Sequence, residues 1–118
     1  MTHSLDAMFA FQAEALKLRS YRQELIAANI ANADTPNYKA VDIDFGQALR
    51  DATSARPTDA PAADPTLLYR NPTQAALDGN TVEMDAERAQ FADNTVRYEA
   101  ALRVLNQQIK TMLSALQG

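Results

Sequence analysis

Between Leu5 and Ala33 the apolar residues Leu5, Met8, Phe9, Ala15, Leu16, Leu18, Leu25, Ile26 and Ile30 recur at helical spacings, with neither Gly nor Pro between them. A stripe with a period near 3.6 predicts one long amphipathic helix. Ser4 or Thr2 is its candidate cap, and Asp6 is the acid expected to face the positive end of the dipole in the first turn. Proline disfavours helical backbone in the residue before it, so Pro36 pushes Thr35 extended and predicts a stop by about Asp34.

The C-terminal third carries a stricter pattern. Phe91, Thr95, Tyr98, Leu102, Leu105, Ile109, Met112 and Leu116 follow one another in alternating steps of four and three. That is a heptad seam, and it predicts a helix from Asp85 to Leu116 that packs lengthwise on another helix. Asp85 is the candidate cap, and Glu83, Asp85 and Glu87 place negative charge where the helix dipole favours it.

The middle differs. Residues 51–76 hold four of the five prolines and a single short apolar cluster, Leu67, Leu68 and Tyr69, which predicts a flexible segment with too little apolar area to offset its ordering entropy. Val41, Ile43 and Phe45 alternate with Asp42 and Asp44, a period-two pattern that predicts a short strand or extended arm. Asp78-Gly79 marks a turn before the second helix. The expected organisation is an N-terminal core helix over 1–34, a turn and arm over 35–50, a Pro/Ala-rich flexible segment over 51–76, and a turn plus the heptad helix over 77–118. The fold class is mainly α: two long terminal helices pairing as an antiparallel coiled-coil hairpin, with an irregular, partly disordered middle.

Charge and chemistry narrow the function. A net charge of -4 with scattered basic residues argues against nucleic acid. No apolar run approaches the ~18 residues of a spanning helix, and the opening residues lack the basic leader and small-residue cleavage site of a Sec signal, so none is expected. With no Cys and only His3, at a terminus, a nucleophile-base pair or a zinc site has almost nothing to draw on. Asp42 and Asp44 lack the Gly and closing Glu of a calcium loop and read as a solvated strand face. No catalytic residue, cofactor, metal or small-molecule substrate is expected, and the protein is not an enzyme.

Two amphipathic helices with a flexible middle leave apolar surface over, since Phe9 and Leu16 lie to one side of the first helix and Phe11 and Leu18 to the other. With no third helix expected in the Pro-rich middle, that surplus points to other subunits. A free-standing helical adaptor or chaperone-like protein is the alternative, and it predicts a monomer at all concentrations.

The stretch ANIANADTPNYKA, Ala28 to Ala40, resembles the Ala-Asn-Leu-Ala-Asn-x-x-Thr-Pro-Gly-Tyr signature that ends the first helix of the bacterial flagellar axial proteins, the rod and hook group. Residues 77–116 are similar to the C-terminal region of the proximal rod members, and the two matching stretches leave only the Pro-rich middle uncovered. The resemblance implies a structural subunit of the periplasmic basal-body rod that transmits torque, encloses the export channel and serves motility. It implies export by the flagellar type III apparatus without a cleaved Sec signal, and homo- and hetero-oligomeric assembly through the terminal helices. The implied partners are other rod subunits, the basal-body adaptor FliE and the membrane ring.

The motif residues are Asn29, Asn32, Thr35, Pro36, Asn37 and Tyr38; the seam and assembly residues are Phe91, Tyr98, Leu102, Leu105, Ile109, Met112 and Leu116. Asn37 stands where the signature has Gly. A type II turn over Thr35 to Tyr38 needs positive φ at that position, and Asn tolerates it best after Gly. Asn29 and Asn32, with Tyr38, read either as a polar latch to a neighbouring subunit or, for Asn32, as a cap of its own helix.

Overall fold

A computed structural model describes the backbone of residues 2–54 and 64–118 and the side chains from Asp6 onward within them. It is mainly helical. Helix α1 runs Thr2–Ala31, α2 Phe45–Thr53 and α3 Met84–Gln117; strand β1, Val41–Asp42, pairs antiparallel with β2, Leu68–Tyr69, in the register Val41 with Tyr69 and Asp42 with Leu68. The radius of gyration is 18.0 Å, with extents of 64 × 31 × 18 Å. A compact chain of this length would have a radius near roughly 13–14 Å. The elongation follows from α3, whose 34 residues span about 51 Å at 1.5 Å each.

Both long helices form where Gly and Pro are absent. Helix α1 starts at Thr2 with no acid in its first turn, so Asp6 lies deeper than expected and Ser4 sits inside the helix; the proposed caps rest on side chains outside the described residues, as does His3. Helix α3 starts one residue before Asp85. Glu83 occupies the cap position, yet its carboxylate accepts from the Thr73 backbone N–H (2.5 Å) and hydroxyl instead, tying that loop to the helix start.

The extended arm expected over 35–50 ends at Asp44. There the chain turns into α2: the Asp44 side chain accepts from Gln47 N at 3.1 Å, an N-cap with Gln at the third helical position. Phe45, Ala48, Leu49 and Ala52 then follow a helical period, so the alternation read through Phe45 crossed an element boundary. Helix α2 packs on α1, and the Arg19 guanidinium lies 3.5 Å over the Phe45 ring. A third helix therefore covers part of the broad α1 stripe that was assigned to other subunits. Within 51–76, residues 55–63 lie outside the described residues, and Leu68–Tyr69 forms the short strand β2.

The centre is as polar as it is apolar. Among the described residues the buried side chains are Ala15, Leu18, Ile26, Ala40 and Ile43 on one hand and Asn29, Asp42, Asn80, Glu87 and Asn94 on the other. Contacts between the long helices run from Asn29 with Glu87, through Arg22 with Gln90, to Arg19 with Asn94, descending α1 as they climb α3. The inward face of α3 is not the row-pair expected from the heptad pattern. Glu87 and Asn94 are buried and Ala101 and Gln108 half-buried, forming one row; Tyr98, Leu105 and Met112 are half-buried beside it. Phe91, Leu102, Ile109 and Leu116, expected in the seam, are exposed, while Glu87 and Asn94 lie inward against polar partners on α1 and after β2.

Candidate functional site

The motif stretch is a helix exit held from three directions. After Ala31 the backbone tightens: Asn32 N donates to both Ala28 O and Asn29 O, and Ala33 N donates to Ile30 O. The turn that follows closes with Tyr38 N donating to Thr35 O at 3.2 Å. Asn37 has φ 64°, the left-handed backbone that the position after proline requires there. Asn37 N in turn donates to Asp78 O, and Thr81 N to Tyr38 O, so the exit lies against residues 78–81.

Asn80 completes the exit, and nothing in its local sequence announced it. Its amide N–H2 lies 2.9 Å from Asn32 O, 3.0 Å from Ala33 O and 2.7 Å from Thr35 O, while its Oδ1 accepts from Val82 N. Helix C-termini leave carbonyls without intrahelical partners, and here a side chain from 45 residues away supplies the donors. Gly79 beside it has φ 74°, and a Cβ there would meet Asn37 Oδ1 at 2.4 Å. A side chain at this φ is strained, and the Asn37 amide would have to move to admit it.

Asn29 and Asn32 prove to be different kinds of residue. Asn32 acts locally: its Nδ2 donates to Ala28 O at 2.8 Å and its Oδ1 accepts from the Thr35 hydroxyl. Asn29 is fully buried and joins three elements, pairing its amide with both Val41 backbone groups (Nδ2 to O, 2.8 Å; N to Oδ1, 3.1 Å) and donating to Glu87 Oε2 at 3.1 Å. The Tyr38 hydroxyl reaches the same Oδ1 at 3.4 Å. These hydrogen bonds of both amides lie within the chain.

Around Asn29 sits a balanced set of charges. Arg22 grips Asp42 with two parallel bonds of 2.9 and 3.0 Å and donates to Gln90 Oε1 at 2.7 Å. Arg70 Nη2 lies 2.6 Å from Asp42 Oδ2, and its Nε lies 2.5 Å from the fully buried Glu87 Oε1, a charge contact out of hydrogen-bond alignment. Two guanidinium groups thus meet two carboxylates, and α1, β1, the segment after β2 and α3 are fastened at one place. Breaking one partner of such a set is costly because it strands the others. Asp42 and Glu87, expected on a solvated face and at a plain helix start, are the acidic half of this clasp. Burial alone would raise the Asp42 carboxyl, but the Arg22 hydrogen bond, the Ile43 N–H and the nearby Arg22 and Arg70 charges outweigh it and hold the pKa below the usual carboxylate range. The Asp42 hydrogen bond likewise raises Arg22.

Two turns beyond Glu87 on α3, Asn94 donates to Arg19 O at 2.9 Å and to Gln23 Oε1 at 2.7 Å, and Gln23 donates to the Thr95 hydroxyl at 2.8 Å. Arg19 is lowered chiefly by burial, with the Arg97 and Arg22 charges adding to it. Beyond this polar stretch α3 presents Leu102, Ile109, Leu113 and Leu116 to solvent, and α1 presents Met8 and Phe11. Two outward apolar faces on long helices, beside a polar base, suit packing against other helices.

Comparison with known proteins agrees with that shape. A family described as "Flagella basal body rod protein" matches residues 9–39, spanning most of α1 and the exit turn. The Flagellar basal body rod protein FlgB of Salmonella typhimurium is 49% identical, across 100% of this chain and 99% of its own length. That of Escherichia coli K12 is 50% identical over the same shares, and that of Cereibacter sphaeroides 47% identical over 90% of this chain and 91% of its own.

Proposed function

The chain belongs to the flagellar basal body rod protein family, and from that premise we propose that α1 and α3 pair as an antiparallel coiled-coil hairpin whose outward apolar faces build the rod. The protein is a structural subunit of the basal body in a motile bacterium, and not an enzyme. No described helix is long and apolar enough to cross a membrane. The finer reading places it in the proximal, periplasmic part of the rod, delivered by the flagellar type III apparatus and adjoining other rod subunits, the adaptor FliE and the membrane ring. Residues 1–34 and 77–118 form the assembly core in this reading, with residues 35–50 as a turn and arm beside it and residues 51–76 as a flexible segment.

The observation that carries the assembly reading is the row Leu102, Ile109 and Leu116, apolar and exposed along one flank of α3. Exposed apolar strips of this length mark surfaces that another protein covers. A coil of helices buries such a strip against the next subunit, and close packing gives the stiffness that torque transmission demands.

The test separates folding from assembly. Replacing both Leu102 and Ile109 by Asp alters exposed positions, so the isolated chain keeps its helicity in circular dichroism while a strain carrying only this version loses motility. Leu105→Asp, at a half-buried position, should cost helicity as well as motility. Swimming cells with rods built from the Leu102→Asp, Ile109→Asp chain would rule the surface out. A monomer that leaves rod assembly intact when altered there would favour a free-standing adaptor.

A further inference from the structure

The C-terminal half of α3 is packed against its own apolar pattern. Gln108 is half-buried with its Oε1 enclosed and without a hydrogen-bond partner among the described residues, while Ile109, the next residue, is 39% exposed. Leu102 is 38% exposed beside the half-buried Ala101. At about 100° per residue, a modest rotation would bring Leu102 and Ile109 inward and release Gln108 to water, which is what burial of apolar area and satisfaction of polar groups both favour. Something other than the local sequence holds the helix where it is.

The hold lies about two to six turns earlier. Glu87 and Asn94 share the row of Ala101 and Gln108 at heptad spacing, and both are fully buried. Glu87 meets Arg70 and Asn29; Asn94 meets Arg19 O and Gln23. Turning that row outward would break these contacts and leave Arg70, Asn29 and Gln23 facing apolar side chains. A straight helix is stiff in rotation, so a face chosen at one end is kept along its length.

We propose that Glu87 and Asn94 select which face of α3 packs on α1, holding the C-terminal half in a rotation that its own apolar residues do not favour. They are positioning residues: polar groups in a helix seam commonly set register at some cost in stability. The consequence is that Leu102 and Ile109 stay outward. The inference rests on the fold alone and does not depend on the rod assignment.

The chain has no cysteine, so one introduced thiol reports its own surroundings. Gln108→Cys and Ile109→Cys are placed separately in the full chain, with and without the pair Glu87→Leu, Asn94→Leu, and maleimide labelling rates are measured under native conditions. With the polar contacts intact, position 109 labels several-fold faster than 108; with both leucines present the order reverses. An unchanged order in a helical double-leucine chain overturns the proposal. Should that chain not fold, the decision passes to the intact background. There Ile109→Gln leaves the urea midpoint unchanged and Gln108→Leu raises it, whereas a fall on Ile109→Gln as large as that on Leu105→Gln overturns the proposal equally.

Discussion

Asn29→Ala should be among the most damaging single truncations of a polar side chain in this protein, and its cost can be built up from its contacts. The substitution removes two hydrogen bonds to the Val41 backbone, at 2.8 and 3.1 Å, and one to the Glu87 carboxylate at 3.1 Å. Neutral bonds contribute about 1 kcal/mol each and a bond to a charged group about 1.5–3 kcal/mol, giving a loss of about 3.5–5 kcal/mol when the partners stay buried. A water entering the vacated space restores part of this, which lowers the bound to about 2 kcal/mol. Asn32→Ala is the internal control. It loses one bond to Ala28 O, which still accepts from Asn32 N, and one from the exposed Thr35, so its cost should be about 0.5–1 kcal/mol. Urea unfolding of both chains followed by circular dichroism measures the difference. Equal destabilisation by the two substitutions, or less than about 1.5 kcal/mol for Asn29→Ala, would refute the reasoning that Asn29 joins three elements while Asn32 serves one.

The remaining predictions probe the clasp and the helix exit. Asp42 has a folded pKa below its unfolded value near 3.8, so its stabilising effect is present above that value and is lost as pH falls through the lower folded one; the stability advantage of wild type over Asp42→Asn should narrow in urea melts run from pH 6 down to pH 2. Asn80→Ala removes the donor shared by Asn32, Ala33 and Thr35 carbonyls and should cost about 1–3 kcal/mol in thermal unfolding. A cost under about 0.5 kcal/mol would mean that water caps α1 equally well. Gly79→Ala combines a φ of 74° with a clash at Asn37 Oδ1 and should cost about 1–2 kcal/mol or more. Adding Asn37→Gly should recover the clash but not the backbone strain, a coupling that a double-mutant cycle reads directly.

Legibility in the sequence followed the range of the interaction. The two long helices were plain because periodicity and the absence of Gly and Pro are local facts, and so was the turn at Asn37, since Pro36 and the tolerance of Asn for positive φ act within four residues. Helix α2 was equally local, with Asp44 and Gln47 at cap spacing ahead of Phe45, Ala48, Leu49 and Ala52. It was hidden because the alternation of Val41, Ile43 and Phe45 ran one residue too far. Arg70 gave no signal within its Pro-rich surroundings, and its two carboxylate partners are 28 and 17 residues away along the chain.

By itself, then, the amino-acid order determined which segments are helical, where α1 ends, and what kind of backbone Asn37 adopts, because each depends on neighbours within a turn or two. It also determined that α3 carries a shared row, Phe91, Tyr98, Leu105 and Met112, flanked by two others. The pattern pointed to the flank of Leu102, Ile109 and Leu116 as the inward one, since these residues look better suited to burial than Glu87, Asn94, Ala101 and Gln108 on the other side. Tertiary structure decided otherwise: Arg22, Arg70, Asn29 and Gln23 arrive from distant parts of the chain, and a carboxylate or amide with matched partners is held inside while a leucine can wait at the surface. Burying apolar area is non-directional, whereas the polar contacts fix geometry, and so the better-matched polar row prevailed over the more apolar one.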